Sequence, residues 1–169
     1  TARPFFLAIS DYRAPQHLLY TFLSYPVVRL LGASEWAIRL PAFAAGVGLV
    51  VLAFLAGRKW FGRAGGLFAA VFVAANPLLV HYSVNGRAYT LQIAAVVLLW
   101  MAAYGMADDA RRRWPVLLVA AGVVGLVAIP TTAFALVGTY AWLGLALLWR
   151  ERGDRSRQMR RCLELAGCG

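Results

Sequence analysis

The run "WPVLLVAAGVVGLVAIPTTAFALVGTYAWLGLALLW", residues 114–149, decides the fold. It is 36 residues long and holds no charged side chain. A membrane-spanning helix needs about 20 predominantly apolar residues. The run is therefore too long for one crossing. Pro130 lies near its middle. An interior proline removes a backbone hydrogen bond and kinks or ends a helix. The pattern predicts two short spans with a turn at "IPTT", residues 129–132.

Working outward, three further segments approach spanning length. They are residues 36–57, "WAIRLPAFAAGVGLVVLAFLAG", residues 64–82, "AGGLFAAVFVAANPLLVHY", and residues 88–106, "AYTLQIAAVVLLWMAAYGM". Pro41 lies in the opening turns of the first, where a missing N–H does least harm. Residues 17–31, "HLLYTFLSYPVVRLL", are apolar but short, and Pro26 and Arg29 interrupt them. They read as a helix lying at the membrane interface. The expected fold is all-α: a polytopic transmembrane helix bundle of about five spans plus this interfacial helix. Glycine and alanine are frequent in the spans, which lets helix backbones approach closely.

Composition agrees. Apolar residues make up 62% of the chain and charged residues 14%, against roughly 25% charged in soluble domains. The net charge is +10, but the basic residues do not form a nucleic-acid face. Twelve of the 17 Lys/Arg residues fall in three clusters, namely Arg58, Lys59 and Arg63, then Arg111 to Arg113, then the tail from Arg150 to Arg161. Each cluster ends an apolar run, as the positive-inside bias requires. These ends read as cytoplasmic, and no nucleic-acid partner is expected. Residues 1–35, 82–88 and 129–132 then face the extracytoplasmic side of the cell (inner) membrane. The whole reads as one transmembrane domain, residues 1–169: outer loop and interfacial helix over 1–35, spans over 36–149, cytoplasmic basic tail over 150–169. Cys162 and Cys168 fit no zinc spacing. The chain starts without an initiator methionine and looks cut at its start.

The predicted outer face gathers Asp11, Arg13, Gln16, His17, Glu35, Arg39, His81, Tyr82, Asn85, Arg87, Tyr89 and Thr131. Arginine grips phosphate through paired N–H donors. Tyrosine suits headgroup depth. A carboxylate can act as general base on a hydroxyl. Such a set suits a lipid-phosphate substrate. Each residue also has a plainer reading. Arg87 can be a solvated loop arginine, Tyr82 and Tyr89 can be aromatic-belt residues, and Glu35 and Arg39 can form an i,i+4 pair. A transporter would favour ionisable residues near the midplane, and the clear spans hold essentially none. A non-catalytic scaffold subunit would need no polar cluster. No His, Asp or Glu grouping has convincing metal-ligand spacing, so no cofactor is evident and a divalent metal is left open.

Three pieces carry a resemblance: "PQHLLYTFL" at 15–23, "LLGASEWAIRLPAFAAG" at 30–46, and "NPLLVHYSVNGRAYTL" at 76–91. In order and spacing they resemble the bacterial multi-span glycosyltransferases of the GT-C type. These are relatives of the dolichyl-phosphate-mannose protein mannosyltransferases and of the lipid A aminoarabinose transferase. The resemblance covers about residues 10–150. It implies transfer of a sugar from a polyprenyl-phosphate carrier to an acceptor on the extracytoplasmic face, with an acidic residue of the first outer loop as base. Mapped onto this chain, His17 falls in the first piece, Glu35 and Arg39 in the second, and Tyr82, Arg87 and Tyr89 in the third. These are the implied substrate-binding residues. Asp11 is the acid present in the outer loop and takes the catalytic position. Family members begin with a spanning helix and an acidic pair that this chain does not show before residue 10. The 169 residues are therefore expected to be an N-terminal core that is inactive alone. Assay of the purified chain with a polyprenyl-phosphate sugar should give no transfer. Transfer that is lost on Asp11→Asn would refute this.

Overall fold

A computed structural model describes residues 18–108 and 113–166, with side chains excepted for 151–166. Asp11 and His17 lie outside the described residues. Among those described, every regular element is helical. The order is α1 (Leu18–Leu31), α2 (Glu35–Ala75), α3 (Pro77–Val84), α4 (Tyr89–Asp108), α5 (Arg113–Ala128) and α6 (Thr132–Ala166). Helices satisfy their own backbone N–H and C=O groups, which lipid cannot do.

Helix α2 runs 41 residues but is a hairpin of two limbs. Gly62 breaks it with φ 77° and ψ −173°, a backbone state that suits glycine. The limbs then return alongside each other at very close range. A Cβ on Gly57 would come within 2.7 Å of the Gly65 carbonyl oxygen, and one on Gly66 within 2.7 Å of that of Phe54. Small residues at such crossings let dispersion contacts form along both backbones. The second limb ends at Asn76, whose side chain accepts hydrogen bonds from the N–H groups of Leu78 (3.0 Å) and Leu79 (3.2 Å). Pro77 opens α3 at a position where a missing N–H is harmless. The predicted span at 64–82 is thus two helical pieces stacked at an Asn–Pro step.

Among the described residues, three helices are long and apolar enough to cross a membrane by themselves: Glu35–Ala75, Tyr89–Asp108 and Thr132–Arg150. The first contains both the 36–57 segment and most of the 64–82 segment. Helix α5, at 16 residues, is shorter than an unaided span requires. It still carries the chain back along α4. Its Gly122 and Gly125 face Leu99 and Ala95 of α4, and its Trp114 ring covers Gly105. The core there is Leu99, Ala102, Ala103, Leu118, Ala121 and Leu143. The turn at 129–132 forms as the proline pattern predicts. α5 stops at Ala128 and α6 starts at Thr132, whose hydroxyl donates to the carbonyls of Gly125 and Ile129, both at 2.8 Å. Helix α6 continues to Ala166, so part of the basic tail extends the last helix.

The bundle has two chemically different ends. At one, Lys59 sits over the rings of Tyr104 (4.9 Å) and Trp114 (4.6 Å), and Arg150 donates to the Ala107 carbonyl at 2.9 Å. At the other, α1 and the 85–88 turn meet the start of α2. Gly57→Leu should force the α2 limbs apart and lower the thermal midpoint in detergent. Gly48→Ala, on the same helix with open space at its Cβ, should leave the midpoint near wild type.

Candidate functional site

Helix α1 is too short to cross a membrane and is instead tied to the bundle at its first turn. Tyr20 is buried, and its hydroxyl donates to the Ile38 carbonyl of α2. Burial raises the Tyr20 pKa above the ordinary tyrosine value, so the hydroxyl stays protonated and donating at neutral pH. Tyr20 packs with Ala42, Ala88 and Ala128, which come from α2, the 85–88 turn and α5. One aromatic side chain therefore sets the spacing of four parts of this end.

The turn between α3 and α4 lies on that platform. Gly86 has φ +63°, and its Cβ direction points toward Tyr20 Oη (3.7 Å) and Arg39 Cγ (3.9 Å). A Cβ there would meet both at ordinary contact distance, so the turn lies beside Tyr20 and the Arg39 stem and glycine is called for by φ rather than by space. Arg87 follows directly and is exposed. Thr90, fully buried, donates to the Ala42 carbonyl at 3.1 Å and pins α4 to α2 just behind the turn. Gln92 donates to the Thr131 hydroxyl at 2.8 Å, which holds the 129–132 turn to the same end.

The sequence-predicted residues divide into groups. Arg39 and Glu35 form the i,i+4 pair at 3.5 Å, with side chains 52% and 87% exposed. A pair so open to solvent adds little stability and leaves the guanidinium accessible. Tyr82 and Tyr89 stack across the turn with ring centroids 4.7 Å apart, and His81 tilts toward Tyr82 at 6.2 Å. Arg87 sits between Gly86, which touches the Arg39 stem, and Ala88, which is buried on Tyr20. Asn85 caps the end of α3. The structure thus brings Arg39, the Arg87 turn and the tyrosine pair to one end, while the sites of Asp11 and His17 lie outside the described residues. Among the described residues no three His, Cys, Asp or Glu side chains gather in a metal-ligating group.

Sequence reasoning missed Tyr20, Thr90 and Gln92 as organisers of this end. A signal existed for each. Tyr20 stands inside the "HLLY" piece, and Thr90 and Gln92 are polar residues at the head of an otherwise apolar span.

The fold and this end define a multi-pass helical membrane protein with a polar, arginine-bearing terminus to its bundle. The sequence model of the dolichyl-phosphate-mannose-protein mannosyltransferase family matches residues 16–158, most of the 169. The chain belongs to that family, which is one of membrane glycosyltransferases. No curated protein and no solved structure matches it.

Tyr20→Phe should keep the packing but remove the bond to the Ile38 carbonyl, which retains its helical partner, at a cost of about 0.5–1.5 kcal/mol. We expect a lower thermal midpoint in detergent and faster proteolysis of α1. An unchanged midpoint would show that the hydroxyl does not hold α1 in place.

Proposed function

We propose that the end bearing Arg39 and Arg87 faces the extracytoplasmic side of the cell membrane and receives a sugar carried on a polyprenyl phosphate. The observation that carries this reading is the seating of the Gly86–Arg87 turn on Tyr20 and on the Arg39 stem, which places two arginines from distant parts of the chain at one end. An exposed arginine is otherwise disfavoured on the face opposite the basic clusters, so a phosphate partner gives Arg87 a reason to be there. Arg39 and Arg87 supply planar donors to the phosphate oxygens. Charge builds on that phosphate as the sugar leaves, and fixed donors stabilise it. Tyr82 and Tyr89 provide a stacked aromatic wall at headgroup depth. Glu35 keeps the Arg39 guanidinium oriented until substrate arrives. Asp11 is the proposed base on the acceptor hydroxyl, and His17 a substrate-binding neighbour.

In this scheme the acceptor oxygen attacks the anomeric carbon and its proton passes to the carboxylate. The bond from that carbon to the phosphate oxygen breaks, and the lipid phosphate departs with the electron pair.

The test is transfer of labelled sugar from a polyprenyl-phosphate donor by the full-length enzyme in membrane vesicles. Losing a charge-assisted hydrogen bond costs about 1.5–3 kcal/mol, so Arg87→Ala should lower kcat/KM roughly 10- to 100-fold. Arg87→Lys should recover part of the loss. Wild-type transfer by Arg87→Ala would sink the assignment.

A further inference from the structure

Along the side of the bundle an elongated apolar groove opens between α6 and the α2–α4 face, from Phe134 just past the 129–132 turn toward the Lys59 end. Trp60, Trp100, Tyr104, Phe134, Gly138 and Trp142 line most of it, and it encloses about 460 Å³. Along α6 it extends from Phe134 to Trp142, about 12 Å at 1.5 Å per residue. Trp100, Phe134 and Trp142 are each close to or above half exposed, so the groove faces outward from the bundle.

Its inner mouth is basic. Tyr104 lines the groove, and its ring carries the Lys59 ammonium on its face at 4.9 Å. Trp114 holds Lys59 at 4.6 Å and Arg113 at 4.5 Å. Arg150 lies at the same end, where it donates to the Ala107 carbonyl at 2.9 Å, one turn beyond Tyr104. Among the described residues, none of these three cations has a carboxylate partner. Asp108 lies at this end and is exposed, but it pairs with none of them. Ring faces position the cations without neutralising them. Lys59, on the Tyr104 face, and Arg150 therefore lie at one end of an apolar slot of acyl-chain shape, while Arg113 lines a separate surface pocket with Trp114.

We propose that this groove binds one anionic glycerophospholipid of the adjoining leaflet, with its phosphate at Lys59 and Arg150 and an acyl chain along Trp60, Trp100 and Trp142. Charge complementarity carries the choice. Basic pockets between spanning helices recognise anionic headgroups, whereas a further protein helix would gain nothing from uncompensated cations at one end of its seat. The proposed phosphate position, at Lys59 and Arg150, is at the other end from the proposed sugar transfer, and the proposal does not rest on that reading.

The experiment is quenching of tryptophan fluorescence in the full chain, reconstituted in phosphatidylcholine vesicles. Brominated phosphatidylglycerol and brominated phosphatidylcholine are titrated separately. Half-quenching by the anionic lipid should need a several-fold lower mole fraction. Lys59→Gln with Arg150→Gln should abolish that preference, and Lys59→Arg with Arg150→Lys should keep it. Gly138→Phe should fill the groove and also remove the preference. Nothing lies within 4 Å of the Gly138 Cβ direction, so folding should be spared, as circular dichroism checks. Arg29→Gln, at the other end, should change nothing. Equal quenching by the two lipids in wild type would overturn the proposal, as would weak quenching by both that rises when the protein is diluted in lipid, the mark of a second copy in the groove. Polyprenyl phosphate that relieves the quenching at lower mole fraction than unbrominated phosphatidylglycerol would also overturn it, in favour of the sugar carrier.

Discussion

The close crossing of Gly57 with Gly65 and Gly66 is the contact on which the rest of the bundle depends. In lipid, apolar surface gains nothing by meeting other apolar surface, so helices associate through backbone proximity and tight packing. Glycine permits both. With Gly62 supplying the turn, α2 folds back and brings Asn76 and α3 beside the start of its own first limb. The fit continues to the far end, where a Cβ on Gly46 would overlap the Ser83 hydroxyl. The position of the Arg87 turn over Arg39 is a consequence of that hairpin.

Hydrogen bonds then secure the polar end. Tyr20, Thr90, Gln92 and Thr132 each donate to a carbonyl or a hydroxyl that links a turn to its neighbour or one helix to another. Few polar side chains are available in so apolar a chain, and these work as ties between elements. Charged groups stay exposed at the two ends. Arg39 and Arg87 lie at one end, and Lys59 and Arg113, held on aromatic rings, lie at the other. The same chain thus carries two chemically distinct charged ends.

Much of the fold was legible in the residues. Apolar runs of spanning length, the proline at 130 and the basic clusters marked helices, turns and ends, and the 129–132 turn formed where Pro130 placed it. The second span was less legible. Hydropathy does not register the Asn76–Pro77 step, because a capping asparagine and an N-terminal proline interrupt backbone continuity without changing apolarity. The short α5 shows the same limit: its edges are set by Trp114 on Gly105 and Thr132 on Gly125, both contacts between different elements. Of the candidate site, Arg39, Arg87 and the two tyrosines could be named from residue type and order. Tyr20 could not, because an aromatic in an apolar helix looks the same in sequence whether it faces lipid or anchors a neighbour.

By itself the sequence determined that the chain is helical and membrane-embedded, because so apolar a backbone must satisfy its hydrogen bonds locally. It also determined which ends carry positive charge and which family the pieces resemble. Only the tertiary structure decided that Gly86 rests on Tyr20 and the Arg39 stem, that Tyr82 stacks on Tyr89, and that Lys59 lies over Tyr104 and Trp114. Each of these joins residues far apart in the chain or across a turn. Their meeting depends on close helix approach at the glycines, where an added Cβ would come within 3 Å of the facing helix, and residue order alone does not display it.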